Sequence, residues 1–294
     1  MNLKNKLSIL SNVSSSQLVL EPYPHIIIEN ALDKDIFNEL QDNFPNDETI
    51  VDGRDLQDTW YDYPACKVLE DDKIHATWKT FFRHHTSKEF FDELVEVVGD
   101  SILALNPTLE DKIGTSIDKF RVSMRPGGRS DTLAPGADIS MECQFYVNYS
   151  QKVRTVRGPH IDRPSELFAA LLYFRQDGDS SIGSDLNVCR ATSNLYPSSS
   201  SVKISELPAE IDSELITVVS TAPYKENTLV LFLNSPKSIH AVSQRSPTNL
   251  TRRHINFCCD VPFDLFELEL PLKLKIKDKL SSIPLGWRLS KYIK

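Results

Sequence analysis

The stretch "GPHIDRP" at residues 158–164 sets His160 two positions ahead of Asp162. In a chain with 7 histidines and 41 acidic residues among 294, that spacing arises about once by chance, so the pair alone says nothing. It gains meaning if it closes a β-strand. Residues i and i+2 of a strand project from one face and would present an imidazole and a carboxylate to a common target. A third ligand is available in "ENTLVLFLNSPKSIHAVSQ", where His240 follows an apolar run and a turn containing Pro236. Two histidines and one carboxylate with open positions opposite form the facial set that holds Fe(II) for oxygen chemistry. Downstream, "TRRHINF" carries Arg252 and Arg253. At strand period Arg252 shares a face with His254 and Asn256, and Arg253 with Ile255 and Phe257. Polar partners belong in a wet lumen, so Arg252 is expected to face inward, with Arg253 as the alternative. A guanidinium there would hold a carboxylate through two parallel hydrogen bonds.

Such a constellation needs strands to carry it. From about residue 117 the chain breaks into short β-rich runs, among them "DKFRVSM", "MECQFYVNY", "ELFAALLYF", "SDLNVCR", "ITVVS", "NTLVLFL" and "RHINFCCDV", separated by turn signals. Many short strands without long helices between them mean a sandwich or a closed barrel. The first third is mixed. A short strand at His25–Ile28 precedes a helix with Ala31, Ile36, Leu40 and Phe44 near helical spacing, ended by Pro45, and a second helix carries Phe90, Phe91, Leu94, Val97 and Val98 on one face. His84 and His85 have no second ligand at i+4 and are expected to be a surface pair. Residues 1–116 are thus expected to form a helical and mixed support, 117–262 the β core, and 263–294 a basic extension. Ser and Pro in residues 191–225, with "PSSSS" at the centre, predict an insertion that lies over the site and outside the β framework.

Composition sets the outer bounds. With 40% hydrophobic and 25% charged residues the chain is that of a globular protein with one main domain. Five cysteines, none in a CxxC and none preceded by a secretory signal, are expected to be reduced thiols in a cytoplasmic protein. No apolar run reaches the length of a membrane span. The net charge of −8 argues against general nucleic-acid binding. It is unevenly spread, since from Pro271 on seven basic residues face only Asp278. There "ELELPLKLKIK" alternates like an edge strand guarded by lysine.

With these residues in this order, the chain resembles the Fe(II)/2-oxoglutarate-dependent dioxygenases, and among them the prolyl-4-hydroxylase-like group. Their HxD pair, distal histidine and following basic residue are matched by His160, Asp162, His240 and Arg252. "QFYVNY" sits where the family carries a strand ending in tyrosine, which makes Tyr149 the counterpart. "LLYF" resembles the next strand, whose tyrosine contacts the distal carboxylate of the co-substrate, hence Tyr173. "GSDLNV" and "NTLVLF" resemble the strands that follow, and the likeness runs from about Cys143 to Asp260. The resemblance implies a mostly β chain with flanking helices. Its core would be a double-stranded β-helix of jelly-roll or cupin-like type, with a helix-containing N-terminal part. It implies His160, Asp162 and His240 as catalytic iron ligands, and Arg252, Tyr173 and Tyr149 as residues holding 2-oxoglutarate. Fe(II), 2-oxoglutarate and O2 are the cofactors and co-substrates so implied, and the reaction is a hydroxylation coupled to decarboxylation of 2-oxoglutarate to succinate and CO2. The carboxylate at Asp162 favours hydroxylation over halogenation. The approach to the first histidine, "SQKVRTVRG", lacks the family's second glycine and its tyrosine, so the substrate is not carried over. A small molecule or a peptide fits, and an arginine-rich rim of Arg125, Arg129, Arg154, Arg157, Arg163 and Arg245 suits an anionic one. Two other readings stay open, a catalytically silent jelly-roll binding module and a non-haem iron oxygenase that does not use 2-oxoglutarate.

Overall fold

The computed structural model describes residues 6–55, 59–127, 133–149, 152–192 and 211–266, with the backbone alone at 154 and 155. Its helices are α1 (Lys34–Asp42), α2 (Asp47–Val51), α3 (Ala65–Glu70), α4 (Ala76–His85), α5 (Lys88–Leu105) and α6 (Leu109–Ile113). The strands are β1 (His25–Glu29), β2 (Trp60–Pro64), β3 (Val122–Met124), β4 (Ile139–Asn148), β5 (Arg154–His160), β6 (Glu166–Tyr173), β7 (Leu186–Ala191), β8 (Ile216–Ala222), β9 (Thr228–Leu233), β10 (His240–Arg245) and β11 (Arg252–Asp260). None of the described helices is long and apolar enough to cross a membrane.

Strands β4 to β11 divide between two sheets. A seven-stranded sheet runs β1-β9-β6-β11-β4-β2 with β3 added to β4, and a four-stranded sheet runs β5-β10-β7-β8. Within β4 to β11 every pairing is antiparallel. Two interleaved sets of four, β4-β11-β6-β9 and β5-β10-β7-β8, make this a double-stranded β-helix of the jelly-roll kind.

Helices cover the outer face of the large sheet. Met141, Cys143, Phe145 and Val147 of β4 and Ile255, Phe257 and Cys259 of β11 share one core with Trp78, Phe81 and Phe82 of α4 and Phe90, Phe91 and Leu94 of α5. Both elements alternate with period two, so these odd-numbered residues leave the even-numbered ones facing the other way. Trp78 is fully buried and meets Phe145 edge-on at 4.7 Å; each such side chain contributes roughly 1.5–3 kcal/mol by leaving water. The helices begin where side chains satisfy their first N–H groups, with Asp33 accepting from the Asp35 N–H and Ser87 from the Phe90 N–H.

Two sequence expectations need correction. His84 and His85 are 6% and 0% exposed and do not form a surface pair. The segment around Ile9 lies over the end of α4, so the Ile9 N–H donates to His85 Nε2 at 3.1 Å while Nδ1 donates to the Phe81 carbonyl at 2.8 Å. The stretch 191–225 is likewise not all insertion. Ile216–Ala222 is strand β8, paired with β7 from Leu186↔Ala222 to Ala191↔Ile216, because the β-branched run "ITVVS" outweighs the Ser-rich composition around it. "SNLYPSSSS" and the basic stretch "ELELPLKLKIK" lie outside the described residues.

Candidate active site

β5 ends at His160, and its register with β10 pairs His160 with His240. Two imidazoles therefore stand side by side on the small sheet, with ring centroids 4.1 Å apart. Asp162, two residues past the strand, closes the set. Its Oδ1 is 3.6 Å from His160 Nε2 and its Oδ2 is 3.5 Å from His240 Nε2. The three ligating atoms lie within 4.8 Å of one another, and all three residues are buried.

Each imidazole is oriented by its own strand. His160 Nδ1 donates to the Gly158 carbonyl at 2.7 Å and His240 Nδ1 to the Ser238 carbonyl at 2.9 Å. Fixing the proton on Nδ1 turns the Nε2 lone pairs toward Asp162, which is how metal-binding histidines are usually held. His160 Nε2 is buried with no hydrogen-bond partner among the described residues. Left so, an acceptor costs about 1–3 kcal/mol, and a divalent cation at the meeting point of the three atoms removes that cost. The residues present thus fit a metal ion of the kind two histidines and a carboxylate bind.

The electrostatics agree. Burial pushes the Asp162 carboxyl up, but the neighbouring His240 and His160 imidazoles and the Arg157 guanidinium 3.6 Å away outweigh it and hold it well below the carboxylate range. Burial, helped by His160, pushes His240 down to about 3, and burial lowers His160 as well. Neutral imidazoles beside an ionised carboxylate are the protonation states that bind metal.

The even-numbered side chains of β4 and β11, with the odd-numbered Ala169, Leu171 and Tyr173 of β6 beside them in register, line the lumen between the sheets. Arg252 is 1% exposed. Its Nη2 donates to the Tyr173 hydroxyl at 3.2 Å, Nη1 to His254 Nδ1 at 2.9 Å and Nε to the Ser184 carbonyl at 3.2 Å. The guanidinium lies over the rings of Tyr173 and Tyr224 at 5.0 and 5.3 Å. No carboxylate among the described residues forms an ion pair with it. Arg253 turns outward, to Asp47 at 2.8 Å and over Phe44 at 4.9 Å. The loop presenting Ser184 is seated by Gly183, whose φ is +84° and where a Cβ would come within 1.7 Å of the Gln244 carbonyl oxygen. Only glycine fits that approach.

The structure brings His160, Asp162 and His240 together, and sets Tyr173 against Arg252. Tyr149 lies one residue past β4, half-buried, with its N–H donating to the Thr59 carbonyl at 3.0 Å. The β4 tyrosine that reaches this part of the lumen is Tyr146, 4.8 Å from the His254 ring; the alternation in "QFYVNY" carried that signal. Tyr224 was missed altogether, because its place over Arg252 depends on how the chain turns between β8 and β9. Arg125 and Arg245, read as rim residues, are 2% and 1% exposed. Arg245 pairs with Asp179 at 2.8 Å, and Arg125 touches Asp260 and donates to Cys258 Sγ at 3.4 Å. Arg163 pairs with Glu166 at 2.9 Å and Asp260 at 3.1 Å. Buried carboxylates thus neutralise these three. Arg129 and the Arg154 side chain lie outside the described residues.

No protein-family model and no curated protein sequence matches this chain. Among solved structures it is similar to a prolyl 4-hydroxylase from Phytophthora capsici, at 14% identity over 95% of this chain and 72% of that one, with a TM-score of 0.41. It is similar as well to an Arabidopsis thaliana dioxygenase for auxin oxidation solved with 2-oxoglutarate, at 9% identity over 85% and 87% of the two chains and a TM-score of 0.36. A third is a Pseudomonas putida prolyl-4-hydroxylase, at 12% identity over 81% and 91% and a TM-score of 0.34.

Proposed function

We propose that this protein is an Fe(II)- and 2-oxoglutarate-dependent oxygenase that hydroxylates its substrate while 2-oxoglutarate is decarboxylated to succinate and CO2. One observation carries this reading: a single lumen holds three convergent metal-ligating atoms and, on the facing sheet, a buried guanidinium that no carboxylate among the described residues pairs with. The first is a site for a cation and the second for an anion, and a dicarboxylate with a keto group next to one end links them.

His160, Asp162 and His240 would hold the iron through one face, leaving the opposite positions open. Iron so held supplies the activation of O2 that an unreactive C–H bond requires. The chain's own residues do the rest. Arg252 takes the distal carboxylate, and Tyr173 and His254 keep its fork aimed. Tyr149 is assigned to the co-substrate end of β4. The lumen walls exclude water, as a reactive oxygen centre needs. Substrate C–H, O2 and 2-oxoglutarate enter; C–OH, succinate and CO2 leave.

Anaerobic addition of Fe(II) and 2-oxoglutarate is the test. A visible metal-to-ligand charge-transfer band is expected in the wild type and absent from Asp162→Ala and His240→Ala. Persistence of the band in both variants would exclude the assignment.

A further inference from the structure

We propose that Asn234 is the positioning residue of the metal centre. Its buried amide ties the turn carrying Asp162 to the turn leading into His240, and so sets the third ligand against the other two. This inference rests on the proposed function for the metal alone.

The need for such a residue follows from the strands. His160 ends β5 and His240 begins β10, and the pairing of those strands sets the two imidazoles opposite each other. Asp162 belongs to no strand. It stands two residues past β5, ahead of a turn closed by the bond from the Glu166 N–H to the Arg163 carbonyl at 2.9 Å. That bond shapes the turn without placing it against β10. Arg163 and Ser165 also tie the turn to Asp260, but Asp260 belongs to the large sheet, whereas His240 stands on the small one. A metal site works only when every ligand is held to within about 0.5 Å, so the carboxylate needs a link to the imidazole side.

Asn234 supplies that link. It follows β9 directly, opens the connection to β10 and is 1% exposed. Its own N–H donates to the Leu167 carbonyl at 3.1 Å, which seats its backbone. Both Nδ2 hydrogens go to the Asp162 side, to the Arg163 carbonyl at 2.7 Å and the Glu166 carbonyl at 3.0 Å. Oδ1 serves the His240 side. It accepts from the Ser238 hydroxyl at 2.9 Å, a hydrogen shared with the Ser235 carbonyl at 2.8 Å. The Ser238 carbonyl is in turn the group that receives the His240 Nδ1 hydrogen. Three hydrogen bonds in series thus run from the residue next to Asp162, through one amide, to the imidazole of His240. A short planar group with two donors on one side and an acceptor on the other is what asparagine alone provides. Unlike the unmatched polar atoms of the lumen, this amide has all its bonds within the chain, so its work is to hold its neighbours and not to receive a ligand.

The test is a Co(II) titration of the full chain without oxygen or 2-oxoglutarate. Asn234→Ala should weaken Co(II) binding about 10- to 100-fold and shift the visible Co(II) absorption, as the carboxylate moves off the ion. Asn106→Ala is the comparison. Its amide is also buried, donating to the Ile102 carbonyl at 3.1 Å at the C-terminal end of α5. Both variants should lower the melting temperature of the metal-free protein, but Asn106→Ala should keep the Co(II) affinity and spectrum of the wild type. If Asn234→Ala fails to fold, Ser238→Ala removes the hydroxyl link alone and should weaken Co(II) about tenfold with a similar spectral shift. Wild-type Co(II) affinity and spectrum in a folded Asn234→Ala or Ser238→Ala, as in Asn106→Ala, overturn this inference and leave the proposed function standing. If the wild type itself binds no Co(II), both fall.

Discussion

The two faces of β4 and β11 do opposite work with alternate residues. Outward, Met141, Cys143, Phe145, Val147, Ile255, Phe257 and Cys259 join the helices in one apolar core. Inward, Glu142, Gln144, Asn148, Arg252 and His254 are buried as well, yet Glu142 Oε2, Gln144 Nε2 and Asn148 Oδ1 have no hydrogen-bond partner among the described residues. Burial on one face releases free energy, and on the other it leaves about 1–3 kcal/mol of cost at each unmatched group. Stability and ligand recognition are thus separated by a single residue step along the same strand.

The separation can be broken at its most sensitive point first. Asp162→Ala should abolish measurable Co(II) or Fe(II) binding in an anaerobic titration, with a much smaller change in melting temperature, since the fold draws little from that group. The reverse pattern is expected from Phe145→Ala on the outer face. A cavity there should cost about 3–5 kcal/mol in the denaturant midpoint, while the fraction still folded binds 2-oxoglutarate as before.

A third test concerns pH. Burial holds the Glu142 carboxyl at about 7, above its ordinary value of 4.5. Its contribution to stability is therefore full below the ordinary value and is lost as pH rises through about 7. That loss amounts to about 3 kcal/mol at most. Between pH 5 and 8, without added substrate, the wild type should lose stability relative to Glu142→Gln; a gap that stays constant over that range would contradict the assignment.

The adjacent arginines give the finest comparison. Arg252→Ala should weaken 2-oxoglutarate binding by about 10- to 100-fold, or about 1.4–2.8 kcal/mol. Arg253→Ala removes a half-buried pair with Asp47 and should cost under about 1 kcal/mol of stability, with no change in 2-oxoglutarate affinity. Titration of the charge-transfer band separates the two.

How far the sequence is legible follows the same division. Period two along "QFYVN" and "RRHINFCC" is local, so the apolar and polar faces of β4 and β11 can be read from the residues. The order of His160, Asp162 and His240 is equally open to reading, because two of them are i and i+2 near a strand end. What is not legible depends on parts of the chain far apart. His85 is buried by a segment 76 residues away. Arg245 sits inside because Asp179 meets it there. An arginine and its buried carboxylate look like two surface charges until the fold brings them together. Strand β8 is a different case: "ITVVS" is legible as a β-branched run, but the serine- and proline-rich residues before it draw it into an insertion, and only its pairing with β7 places it in the small sheet.

The immobility of Arg252 has one more consequence. Three hydrogen bonds and two aromatic rings leave its guanidinium no second position, and Gly183 keeps the Ser184 carbonyl from drifting. The metal ligands are pinned as firmly by their own backbone. Two such fixed ends turn the lumen into a gauge. Under the proposed function, a diacid one carbon short cannot reach both ends, and one carbon too long must buckle, so the co-substrate is chosen by its length before any bond is made or broken.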